Sequence, residues 1–75
     1  MIIAFYMDLP EQFRRFIPKG CSAKIHGSPH VKCVEVIPPA RLRRKVRNVS
    51  AMYIHSPGNA ARRAGAHMRR MMEMA

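Results

Sequence analysis

The sequence predicts a small α+β protein: a partly extended chain with a short N-terminal helix, a β-hairpin and a C-terminal basic αα-hairpin, ordered mainly by its partners. Three observations predict this class. The chain has only 75 residues, its middle carries strand-forming residues on either side of one turn, and its second half repeats a helical spacing of apolar residues. We therefore expect one small domain over 1–75, with a mixed segment at 1–37 and a basic helical segment at 38–75.

The length of the chain limits how stable an isolated fold can be. A compact chain of this size would bury about 7,800 Å² on folding. With about 60% of that area apolar, burial contributes about 115 kcal/mol. Ordering the chain costs nearly as much, about 113 kcal/mol at about 1.5 kcal/mol per residue. Because these totals nearly cancel, we expect the chain to depend on a partner or a staple for its order.

The first part of the chain predicts a short strand followed by a short helix. The apolar run at 1–7 is typical of a strand, or of an anchor inserted into a neighbouring protein. The sequence Asp-Leu-Pro-Glu at 8–11 is typical of a helix start, with a capping acid and an early proline. Phe13, Phe16 and Ile17 would share one face of about two turns, and a Pro-Lys-Gly tripeptide ends the pattern.

A β-hairpin is predicted in the middle of the chain. Residues 23–26 and 31–37 have strand composition, rich in valine and isoleucine. The sequence Gly-Ser-Pro-His at 27–30 separates them and is typical of a turn. The Pro-Pro pair at 38–39 ends the second strand, because proline cannot donate a hydrogen bond to the ladder.

An αα-hairpin is predicted after the Pro-Pro pair. Two apolar series each have spacings of four, three and four, which place their members on one helical face. The series are Leu42, Val46, Val49 and Tyr53 in the first helix, and Ala61, Gly65, Met68 and Met72 in the second. The sequence Ser-Pro-Gly-Asn at 56–59 forms the turn between them, with Asn59 placed to cap the second helix.

Positive charge is the strongest functional signal in the sequence. The chain has 14 Lys and Arg against 4 Asp and Glu, a net charge of +10, and +8 of it lies in 41–75. Arginine outnumbers lysine, and its planar guanidinium binds phosphate through two parallel hydrogen bonds. We therefore expect a nucleic-acid partner, with an acidic membrane or protein surface, or a solvated face, as alternatives. The predicted RNA-binding residues are Arg41, Arg43, Arg44, Lys45, Arg47, Arg62, Arg63, Arg69 and Arg70.

The sequence argues against an enzyme and against a membrane-spanning chain. It contains no paired carboxylates and no glycine-rich phosphate loop, and such a short chain can hardly build a substrate pocket. We expect no small-molecule substrate. No apolar run approaches the ~18 residues that a transmembrane helix needs. The opening residues also lack the features of a signal or transit peptide, so any organelle address is expected to be internal or already removed.

Two cysteines and two histidines form the only candidate metal site. Cys21, His26, His30 and Cys33 follow the pattern C-x4-H-x3-H-x2-C across the predicted hairpin. Two thiolates and two imidazoles can complete a tetrahedral zinc site, which would also staple a marginal fold. The alternative is a pair of buried, reduced cysteines with two histidines that face RNA or solvent. We expect no other cofactor, and two cysteines are too few for the disulfide framework of a small secreted protein.

In its size, its arginine content, its short elements broken by prolines and its small core, the chain is similar to small ribosomal proteins. It is most similar to the additional subunits of mitochondrial ribosomes. The resemblance implies a structural constituent of a ribosome, in the mitochondrial matrix or the cytoplasm, bound to ribosomal RNA backbone and neighbouring ribosomal proteins rather than a homo-oligomer. The alternatives are an accessory subunit of a mitochondrial membrane protein complex and a small zinc-stapled nucleic-acid-binding module.

Overall fold

A computed structural model of the chain describes residues 5–28 and 30–75. Within them, four antiparallel strands form one sheet in the order β1-β2-β3-β4, and a single α-helix follows the last strand. This confirms a small α+β fold. The elements are β1 (Phe5–Asp8), a 3-10 helix (Glu11–Phe16), β2 (Ser22–Gly27), β3 (Lys32–Ile37), a 3-10 turn (Ala40–Leu42), β4 (Val49–Tyr53) and α1 (Pro57–Met74).

The predicted β-hairpin is confirmed as strands β2 and β3. Their register pairs Ser22 with Ile37 at one end and Gly27 with Lys32 at the turn. Gly27 has a positive φ of 135°, and a Cβ there would lie 2.5 Å from the Val31 carbonyl oxygen, so the tight turn requires glycine. Hydrogen bonds between Ser28 and Val31 then close the turn.

The predicted N-terminal α-helix is instead the 3-10 helix at Glu11–Phe16. Its bonds run between residues three apart, with Phe13 N–H donating to the Pro10 carbonyl at 3.0 Å. No side chain caps its N-terminus, and Pro18 follows soon after, so the segment is too short to propagate an α-helix. The apolar run before it forms strand β1 from Phe5, whereas 1–4 lie outside the described residues.

The prediction of a first helix in the αα-hairpin is wrong, because residues 49–53 form strand β4. Val49 and Tyr53 are four residues apart, a spacing that keeps two side chains on one face in a helix and in a strand alike. This segment pairs antiparallel with β3, with Ala51 opposite Val34. The pairing satisfies backbone hydrogen-bonding groups along the edge of β3, which a helix at 49–53 would leave unpaired. Only one helical turn remains upstream, where Val46 N–H donates to the Leu42 carbonyl at 2.8 Å.

The second predicted helix is confirmed as α1, and it covers one face of the sheet. Ser56, not Asn59, caps it: the Ser56 hydroxyl oxygen accepts a hydrogen bond from the Asn59 N–H at 3.2 Å. Met68 and the small residues of the inward face are fully or almost fully buried, which lets the helix approach the strands closely. The buried core consists of Leu9, Ala23, Ile25, Val34, Val36, Val46, Ala51, Ala60, Ala61, Ala64 and Met68.

Candidate nucleic-acid interface

The basic segment at 41–47 is a loop at one end of the sheet. Strand β3 ends at Ile37 and β4 begins at Val49, so the chain between them must turn at that end. A 3-10 turn and a following turn occupy most of the loop, and Val46 anchors it in the core with 2% of its surface exposed. The five cations of the loop are all exposed: Arg41, Arg43, Arg44, Lys45 and Arg47.

The C-terminal half of α1 reaches the same end of the sheet. Cys21 immediately precedes β2 at this end, and its Sγ lies 3.5 Å from the Met72 Sδ. Burial raises the pKa of the Cys21 thiol, and the positive charge of nearby Arg41 opposes that rise, so the loop also lies close to Cys21. Arg69 and Arg70 precede Met72 by less than one turn and are exposed. We call this surface the basic end: Arg41, Arg43, Arg44, Lys45, Arg47, Arg69 and Arg70.

Arg62 and Arg63 lie outside the basic end, on opposite edges of α1. The guanidinium carbon of Arg62 is 5.9 Å from the centroid of the Phe16 ring, a cation–π distance. Arg63 Nη2 donates to the Met52 carbonyl at 2.7 Å, beside strand β4. The structure therefore separates this doublet from the other seven predicted residues and uses each member in an intramolecular contact.

No carboxylate forms a salt bridge with the basic end within the described ranges 5–28 and 30–75, although Glu73 follows Arg69 by one helical turn. The salt bridge found there joins Arg14 to Glu11 at 3.5 Å, and His26 Nε2 lies 3.9 Å from a Glu35 carboxylate oxygen. The Glu35 carboxylate also accepts a hydrogen bond from Asn48 Nδ2 at 3.4 Å. No salt bridge involves any of the nine predicted RNA-binding residues in this part of the chain. The charge of the seven residues of the basic end is therefore available to an external anion.

One cation of this region was missed by the sequence analysis. Gly20 has a positive φ of 91°, and a Cβ there would lie 3.4 Å from Pro39 Cγ, so this turn packs beside the start of the basic loop. The exposed Lys19 precedes Gly20 and therefore lies near the basic end. Nothing in the local sequence signals this position, because 20 and 39 meet only through the sheet.

The structure does not bring the four predicted zinc ligands together. His26 and Cys33 are cross-strand partners on the sheet face opposite α1. Cys21 points to the other face, beside Met72, and His30 lies exposed in the turn. Across 5–28 and 30–75, no group of three or more histidine, cysteine or acidic residues could hold a metal ion. Strand alternation already separates 21 from 26, since odd and even positions face opposite sides.

Comparisons with protein families, curated proteins and solved structures find no match to this chain. Among the described residues, α1 is the one long helix, and neither it nor any shorter helix is long and apolar enough to cross a membrane.

Proposed function

We propose that this protein is a structural constituent of a ribosome that binds ribosomal RNA backbone through its basic end. One observation carries the proposal: seven cations from two segments distant in sequence converge on one end of the fold, with no salt bridge to a carboxylate in the described part of the chain. The mitochondrial location rests on the resemblance to the additional subunits of mitochondrial ribosomes. The role is structural rather than catalytic.

The physical basis is the exchange of counterions for arginine side chains. Phosphates hold condensed counterions, and each phosphate contact releases some of them, which favours binding most at low salt. Arginines on a loop and on an adjacent helix end point in several directions, which suits the irregular phosphate path of folded RNA. Such contacts position the protein by shape and charge and do not select a base sequence.

The salt dependence of RNA binding tests this proposal. We expect Arg43→Ala/Arg44→Ala to weaken binding of a ribosomal RNA fragment and to reduce the slope of log K against log salt by about 1.4–1.8, the value for two phosphates. The matched control is Arg62→Ala/Arg63→Ala, which removes the same charge from the part of α1 that lies outside the basic end. We expect it to change the slope by less than about half as much. Equal effects of the two double variants would contradict binding through the basic end.

Sedimentation of the tagged protein from cell extract tests the ribosomal assignment itself. Co-migration with a ribosomal particle, abolished by ribonuclease, is the expected result. Migration with a large particle that is indifferent to ribonuclease but lost in detergent would instead favour an accessory subunit of a membrane complex. The separation of Cys21 from His26 and Cys33 lends no support to the zinc-stapled alternative.

A further inference from the structure

The outer edge of β4 is lined by an open groove. In the described sheet, β4 is a terminal strand whose only strand neighbour is β3. Two adjoining depressions of about 520 and 510 Å³ run along it and share Met52 and Arg63. Strand β4 forms one wall of the groove, and the edge of α1 that carries Arg63 and His67 forms the other.

The contact of Arg63 shows which backbone groups face the groove. Arg63 lines the groove and its guanidinium donates to the Met52 carbonyl, which indicates that this carbonyl points toward the groove and away from β3. Because alternate residues of a strand direct their N–H and C=O to the same side, Ser50 and Met52 present their backbone groups to the groove. Such an edge is a template for an additional strand. One of its acceptors, the Met52 carbonyl oxygen, is occupied by the Arg63 guanidinium.

Charge and apolar exposure along the groove describe the strand that fits. Arg63 and His67 line the side nearest α1, whereas Met52 and Ile54 are 65% and 67% exposed along the groove. No acidic residue is among the groove-lining residues. A strand with alternate carboxylates and apolar side chains would match both features. A second copy of this chain would instead bring two proteins of charge +10 together.

We propose that the β4 edge binds an extended acidic segment of a partner protein as a fifth strand. Its carboxylates contact Arg63 and His67, and the intervening apolar side chains cover Met52 and Ile54. As the segment binds, Arg63 transfers its hydrogen bond from the Met52 carbonyl to a carboxylate, and the carbonyl then accepts from the incoming backbone. This surface is separate from the basic end and does not depend on RNA binding.

A blocked seven-residue peptide of alternating Glu and Val is the probe, with fluorescence anisotropy as the readout. We expect Arg63→Glu to weaken its binding about tenfold, since the variant places a like charge beside the carboxylates. Arg62→Glu makes the same charge change on the opposite edge of α1, and we expect it to change the affinity by less than about twofold. A Lys-Val peptide should reverse this preference and bind Arg63→Glu more tightly than the wild-type protein.

Two measurements on the wild-type protein test strand addition directly. The Glu-Val peptide should slow hydrogen exchange of the Ser50 and Met52 amides, which face the groove. N-methylation of the peptide's valine amides should abolish binding, because those amides would donate to β4. Arg43→Ala/Arg44→Ala should bind the peptide as wild type does, which separates this proposal from RNA binding. Equal losses in both charge variants, no amide protection, binding of the N-methylated peptide, or a stable dimer of this chain through β4 would each overturn the proposal.

Discussion

Replacement of Gly65 by alanine tests how closely α1 packs on the preceding 3-10 helix. A Cβ at Gly65 would overlap the Phe16 carbonyl oxygen and lie 3.0 Å from its carbonyl carbon. Both atoms belong to the backbone, so no side-chain rotation can relieve the overlap. The helix and the 3-10 segment would have to separate by about an ångström, which disturbs the packing of the 3-10 segment against α1 and the core.

The magnitude follows from two opposing effects. Overpacking of this kind costs about 3 kcal/mol, at the upper end of the usual range because rigid backbone must move. Alanine has a higher helix propensity than glycine, which offsets about 1 kcal/mol of that cost. We therefore expect Gly65→Ala to lower the free energy of unfolding by about 2 kcal/mol. In a domain of this size, that lowers Tm by about 8–16 °C.

Gly58→Ala is the matched control, because it makes the same substitution in the same helix. A Cβ at Gly58 would lie 2.8 Å from Phe13 Cε1, which is part of a partly buried side chain and not of the backbone, so it can shift. We expect its stability to stay within about 1 kcal/mol of wild type. Urea and thermal unfolding, followed by circular dichroism, measure the stability of both variants. Sulfate buffer strengthens the burial of apolar surface and so keeps this small domain folded at the start of each titration. A Gly65→Ala protein as stable as Gly58→Ala would refute the close packing of α1 on Phe16.

Two further predictions concern the helix start and the buried thiol. Ser56→Ala removes the hydroxyl that accepts from the Asn59 N–H, and we expect a loss of about 1 kcal/mol, measured as a lower urea midpoint with an unchanged slope. Burial raises the pKa of Cys21 and the charge of Arg41 opposes the rise, so Arg41→Ala should move the pH midpoint of its alkylation higher still. Mass spectrometry in a Cys33→Ser background measures the midpoint, and an unchanged value would show that Arg41 lies far from the thiol.

The elements that were predicted from sequence depend on local chemistry. The β2–β3 hairpin has valine and isoleucine in its strands and a glycine where the turn needs a positive φ. Helix α1 has a proline in its first turn and a one-sided series of small and apolar residues, although its cap is Ser56 and not the predicted Asn59. Each signal acts within a few residues, so it can be read without knowledge of the tertiary fold.

The errors arose where two local structures share one pattern. The four-residue spacing of Val49 and Tyr53 fits a helix and a strand equally, and the unpaired edge of β3 selected the strand. The sheet also keeps the predicted zinc ligands apart. Cys21 and His26 are near in sequence, but strand alternation sends them to opposite faces of the sheet.

The candidate interfaces divide in the same way. The sequence by itself determined the excess of positive charge, its concentration in 41–75 and the exposure of the arginines, because burial of so many unpaired charges would be too costly. Only the tertiary structure decided that 41–47 lies at the same end of the fold as Arg69 and Arg70, that Arg63 turns to the edge of β4, and that this edge is open. These relations depend on strand pairing and helix docking between distant segments, and no local pattern encodes which distant segments come together.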